Sequence, residues 1–223
     1  MAKSDLNRTA IVARALEIAD TEGLEAITVR RMSREFGVTP MALYWHVKDK
    51  DDLLEAMGDA LFDGTDVVAD PTLAWHEQLR VLMTSLVGGL RRHPGAVQLA
   101  FQRVLANEAG RDLSEHVFDV LRGAGFDVRQ TADIGVYALR TAVMLIDGEP
   151  GREVGPTEQE RQAVLDAKRA ALQALPVERY PRLREMADAL VTCDDEDDYY
   201  RFGIDTFISG VRALQPALTQ SAG

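Results

Sequence analysis

The side chains with the most chemical capacity crowd into one run, Thr39-Pro40-Met41-Ala42-Leu43-Tyr44-Trp45-His46-Val47-Lys48, followed at once by Asp49 and Lys50. On a helix, Leu43 and Val47 lie one turn apart and anchor one face to a core. Thr39, Pro40, Met41, Tyr44, Trp45 and His46 are left largely on the outer arc. An aromatic group of that size beside two lysines is costly to leave in water. A surface of phosphates and thymine methyls would cover it, with hydroxyls and ammonium groups on phosphate and the larger side chains at base edges. Taken alone, Tyr44 and Trp45 would equally suit a core pair in a small helical domain.

The elements that must position this run point to the surface role. Apolar residues recur at helical spacing almost throughout, and alternating β-branched runs are missing, so the fold class is all-α. A first helix repeats at Ile11, Ala15 and Ile18 and at Val12, Leu16 and Ala19, and stops at Gly23. Thr28 caps a short second helix that ends near Gly37. Thr39-Pro40 opens the third, a capping hydroxyl followed by proline at the first helical position. Asp49 caps a fourth, with Leu53, Leu54, Met57 and Leu61 on its buried side. Two short helices about Phe36-Gly37-Val38, behind a supporting helix, form a helix-turn-helix whose second member reads the major groove.

A stretch rich in Asp, Gly and Pro follows at 63–71. The expected division is a DNA-binding domain at 1–62 and a larger helical domain at 63–223, with the fourth helix connecting them. Further helices are predicted at 75–92, 96–107, 112–123, 129–147, 157–175, 181–190 and 196–214. A Gly/Pro loop is predicted at 148–156.

Residues 8 to 62 resemble the DNA-binding domain of the TetR family. The match lies in Ile27-Thr28-Val29-Arg30-Arg31-Met32-Ser33-Arg34-Glu35-Phe36-Gly37-Val38 and in Leu43-Tyr44-Trp45-His46-Val47-Lys48-Asp49-Lys50-Asp51-Asp52-Leu53-Leu54. A weaker likeness extends through Trp75-His76-Glu77-Gln78-Leu79-Arg80 and His93-Pro94-Gly95-Ala96. The resemblance implies that Thr28, Tyr44 and Lys50 contact phosphate, that the start of the fourth helix favours an anion, and that Arg30 reaches a base edge. It places Thr39, Pro40, Met41, Trp45 and His46 at the groove, with Lys48 beside them. Because Thr39, Pro40, Met41 and Ala42 open the reader helix here, no operator sequence is carried over.

In the second domain, Ala132, Val136, Leu139, Val143 and Ile146 repeat at intervals of 4, 3, 4 and 3, as do Tyr200, Ile204, Phe207, Val211 and Leu214. Such stripes suit helices packed knobs-into-holes, and ordinary core would show the same pattern. The resemblance implies a homodimer through this pair, with Val136, Leu139, Val143, Ile204, Phe207 and Val211 at the interface. Gly203 and Gly210 would allow close approach. Leu82, Met83, Leu86, Phe101 and Phe118 would line a cavity for a small, mostly apolar effector, with His116, Tyr137, Arg140 and Met144 beside them. Tetracycline is not expected. Apolar residues near Leu82 and Leu99 stand where tetracycline-binding members of the family use polar contacts, and Gly64 stands where they place a histidine.

The net charge of −11 argues against nucleic acid until its distribution is seen. Residues 1–50 carry eight Lys/Arg and seven Asp/Glu; the remainder carries 17 and 29. A nearly neutral head on an acidic body leaves only the head able to approach phosphate. No apolar run of membrane-spanning length and no signal-peptide core occur, so the expected location is the cytoplasm. The single cysteine, Cys193, beside Asp194-Asp195-Glu196, suits neither a disulfide nor a reactive thiol. The four histidines have no metal-ligand spacing, and no nucleotide-binding or hydrolase motif is present. Neither enzyme, cofactor nor metal is therefore expected. The alternatives left are an effector-free DNA-binding regulator and a protein-interaction adaptor with a degenerate head.

Overall fold

A computed structural model of the chain describes residues 6–65, 67–152, 157–193 and 195–215. Among these it contains twelve α-helices: α1 Arg8–Glu22, α2 Val29–Glu35, α3 Pro40–Tyr44, α4 Lys50–Ala60, α5 Trp75–Leu90, α6 Ala100–Arg103, α7 Glu108–Gly123, α8 Val128–Asp147, α9 Glu158–Gln173, α10 Pro181–Glu185, α11 Ala187–Val191 and α12 Glu196–Ala213. The all-α expectation is met. Two predicted helices are broken. The 96–107 segment is a 3₁₀ turn, Pro94–Leu99, followed by the short α6, and 181–190 divides at Met186 into α10 and α11. Residues 153–156 of the expected loop and Asp194 of the acidic run lie outside the described residues.

The chain forms two compact units that do not follow chain order. One holds residues 1–57, 93–96 and 147–199; the other holds 58–92, 97–146 and 200–223. In the first unit, the segment 93–96 is drawn in by Asp20 at the end of α1. The Asp20 carboxylate accepts from the Gly95 amide at 2.8 Å and lies 2.9 Å from His93 Nδ1. The helices α9, α10 and α11 pack on one another within the same unit. The core around the head is made by Ile11, Ala15, Leu16, Ile18, Ile27, Met32, Leu43, Val47, Leu53 and Met57, all buried. Each large aliphatic among them contributes about 1.5–3 kcal/mol relative to exposure.

The second unit is built on α5 against α7, with α8 and the body of α12. Trp75 meets Phe126 edge to face at 5.6 Å, and the Arg91 guanidinium sits 4.9 Å over the Tyr200 ring. Arg103 pairs with Asp59 at 2.8 Å, and Arg80 pairs with Asp205. The close approach of α8 and α12 is made at Gly203, where a Cβ would stand 2.3 Å from Leu145 Cδ2.

Candidate nucleic-acid interface and cavity

Local chemistry builds the head. Thr28 Oγ1 accepts from the Arg31 amide at 3.1 Å, and Thr39 Oγ1 from the Ala42 amide at 3.3 Å, so α2 and α3 both begin on hydroxyl caps. Each hydroxyl keeps its proton to donate outward. Between them, Gly37 adopts φ +63. The Gly37 amide donates to the Arg34 carbonyl and the Val38 amide to that of Ser33, a turn that closes α2 and that a side chain with a Cβ would strain. The reader helix ends at Tyr44, where the His46 and Val47 amides both donate to the Leu43 carbonyl.

The turn after α3 is held from outside. Asp52 accepts from the Lys48 amide at 2.8 Å and takes a two-pronged ion pair from Arg8, with 2.8 Å for each oxygen. A third Arg8 bond, at 3.0 Å, goes to the His46 carbonyl. The Arg8 guanidinium, above all, pulls the Asp52 carboxyl down to about 2. Folding therefore favours the ionised form. Its stabilisation is complete above the ordinary carboxylate range near 4 and is lost as pH falls toward 2. Asp52→Asn should lower the thermal midpoint at pH 6 by an amount that shrinks between pH 4 and pH 2. Parallel midpoint curves across that window would show that Arg8 and Asp52 do not hold this turn.

Asp49 Oδ1 accepts from the Asp52 amide at 2.8 Å, as the cap expected for α4. Of the amides at the start of this helix, that of Asp52 is thereby already taken by the Asp49 carboxylate.

The charges on α2 are sorted by pairing. Arg14 reaches Glu35 and Glu17, each at 2.7 Å, and Arg31 reaches Glu22 and Glu35, each at 2.8 Å. Arg14 first and Arg31 second hold the Glu35 carboxyl below its usual range. Arg31 is thereby committed to tying α2 to the end of α1. Arg30 and Arg34, one turn apart and exposed, make no ion pair among the described residues. Lys50 likewise makes none, and Lys48 lies in the field of Asp52. Thr28, Thr39, Pro40 and Tyr44 are exposed, as are Met41 at 69% and Trp45 at 83%. His46 is half-buried. Sequence reasoning passed over Arg34, which only the pairing of Arg31 singles out.

The expected pocket residues separate into three groups. Phe101, Phe118 and Arg140 line a cavity of about 460 Å³ in the second unit. Leu82, Met83 and Leu86 line a smaller one of about 40 Å³, of which Phe118 is also a wall. His116, Tyr137 and Met144 line neither. His116 is half-buried on its helix flank, and Tyr137 and Met144 are 60% and 70% exposed. Sequence reasoning missed Ser114, Leu105 and Gly135 in the lining. These are small or isolated residues with no periodic signature.

The expected dimer seam also needs correction. Val143, Ile204 and Val211 are buried within the chain itself, with Tyr200 and Ile208 beside the latter two. Leu139 and Val136 line the larger cavity, and Phe207 is half-buried. Val143, Ile146, Tyr200, Ile204 and Val211 of the predicted stripes thus cover the chain's own core, while Val136 stays 48% exposed. The exposed large apolar residues of the same helices are Val128, Val136, Tyr137 and Met144 on α8 and Phe202 on α12. Gly210, with nothing within 4 Å of a Cβ, lies on the open face of α12.

Comparison with known proteins agrees with this geometry. Residues 11–57 match the family described as bacterial regulatory proteins, tetR family, and residues 69–215 match the tetracyclin repressor-like C-terminal domain. The HTH-type transcriptional repressor DrrR1 of Streptomyces coeruleorubidus is 27% identical over 224 residues, covering 95% of this chain and 79% of that protein. Tetracycline repressor protein class D of Escherichia coli is 26% identical over 220 residues, covering 98% and 94%. A further HTH-type transcriptional regulator, from Saccharopolyspora erythraea, is 32% identical over 121 residues, and this match spans 54% of the chain and only 51% of that relative. Among solved structures, ActR of Streptomyces coelicolor in complex with actinorhodin superposes with a TM-score of 0.71 at 26% identity, covering 95% of this chain and 99% of that one. With both halves matched, the chain belongs to the TetR family of bacterial transcriptional regulators.

Proposed function

We propose that this regulator is a homodimeric repressor that binds a near-palindromic operator and is released from it by a small, mostly apolar molecule other than tetracycline. One observation carries the reading. The capped helix-turn-helix presents Met41 and Trp45 to solvent, and its Arg30, Arg34 and Lys50 make no ion pair among the described residues. Exposed aromatics and uncommitted cations on one face lose their cost when phosphates and base edges cover them.

The cavity of about 460 Å³ supports the effector half of the reading, because it falls within the size range of small-molecule sites. Relatives support it as well: ActR structures were solved with (S)-DNPA and with actinorhodin. An effector that binds the released state about a hundredfold better contributes roughly 2.7 kcal/mol per site toward dissociation. The helix α4, which contributes residues to both compact units, is the expected lever.

Tyr137, Met144, Phe202 and the open Gly210 face support dimerisation. Met144 and Phe202 each precede a member of the Leu145–Gly203 contact, so two exposed apolar side chains flank the place where α8 and α12 touch. Two reader helices in a dimer would enter successive major grooves about 34–36 Å apart.

Footprinting on genomic fragments should show two protected half-sites one helical turn apart, lost on addition of the cognate effector. No protected site on any fragment would overturn the operator reading.

A further inference from the structure

The chemistry of the larger cavity restricts what it can hold. Its walls are apolar, with Phe101 and Phe118 supplying aromatic faces and Leu105 and Val136 standing partly open to solvent. Among the described residues, Arg140 is the one charged side chain in that lining, and it makes no ion pair; its guanidinium rests 5.8 Å from the Tyr137 ring centroid. Arg140 is exposed at the edge of these apolar walls, where its guanidinium offers a planar fork suited to a carboxylate.

Ser114 is the one side-chain hydroxyl in the lining. Its proton is committed to the Gly110 carbonyl at 2.7 Å, so toward the cavity it can only accept. It would therefore select a ligand that donates there.

The smaller cavity shares Ser114, Phe118 and Gly135 with the larger. Phe118 approaches α8 so closely that a Cβ at Gly135 would be 2.5 Å from its ring edge. Behind that ring, about 40 Å³ leaves room for one small substituent.

Resting on the effector reading above, we propose that the cavity takes a hydroxylated aromatic acid of two or three fused rings. Its carboxylate lies on Arg140, its ring face against Phe101 and Phe118, and its hydroxyl donates to Ser114.

Calorimetry on the full chain with 6-hydroxy-2-naphthoate and its neutral methyl ester tests this. The acid should bind at least tenfold tighter than the ester. Arg140→Gln should weaken the acid at least tenfold and leave the ester unchanged, so that the preference disappears. Ser114→Ala should weaken 6-hydroxy-2-naphthoate while leaving 2-naphthoate, which lacks the hydroxyl, as it was. Val136→Trp, at a half-exposed position that can be enlarged without disturbing the core, should block both probes. Equal binding of acid and ester, an unchanged preference in Arg140→Gln, or no binding of either probe would overturn the proposal. Equal binding that Val136→Trp abolishes would leave the effector reading standing. Failure of the footprint overturns that reading whatever the calorimetry gives.

Discussion

Phe202→Glu should yield a monomer that has lost operator affinity while keeping its helical content. The side chain is 74% exposed in the single chain, so a carboxylate there costs the folded protomer little. In the proposed dimer the same carboxylate would leave water and face its symmetry mate. Burial of a charge without a partner costs several kcal/mol, and the twofold axis applies the cost twice. A penalty of about 4 kcal/mol would raise the dimer dissociation constant roughly a thousandfold. Light-scattering mass and DNA affinity, measured together, check this. An unchanged mass would show that dimerisation uses another face. The parallel substitution Phe207→Glu strikes a half-buried side chain between Ile204 and Val211, both buried. It should lower the thermal midpoint of the chain itself, and this contrast separates a surface from a core position on one helix.

Arg30→Ala should weaken specific operator binding by about 1–3 kcal/mol and relax the preference at a single base position. Arg31→Ala, one residue on, should leave base preference intact. Its guanidinium is spent on Glu22 and Glu35, so its loss acts on how α2 is tied to α1 and not on base readout. Competition assays against single-base operator variants, run at two salt concentrations, distinguish the two residues. A base-specific loss from Arg31→Ala, with none from Arg30→Ala, would reverse the assignment. Lys50→Ala should weaken all sequences alike and flatten the salt dependence.

The sequence by itself determined what depends on near neighbours. The hydroxyl caps at Thr28 and Thr39, the proline opening α3, the turn at Gly37 and the carboxylate cap at Asp49 each act over three or four residues. The type and spacing of those residues therefore announce the head. Helical periodicity did the same for α5, α7, α8, α9 and α12, whose bounds fall within a few residues of those expected.

The tertiary structure alone decided what covers each face. A 4, 3, 4, 3 stripe reports that one side of a helix is apolar; Ile204 and Val211 meet their own chain, and Phe202, off the stripe, is left open. Three arginines within five positions of α2 look alike in the sequence, and Arg31 is set apart because Glu22 comes within 2.8 Å from across a turn of the fold, beside its neighbour one turn on, Glu35. Ser114 and Arg140 share a cavity though 26 positions separate them, since α7 and α8 place both on its wall. Side-chain partners distant along the chain are chosen by packing, and local spacing carries no record of that choice.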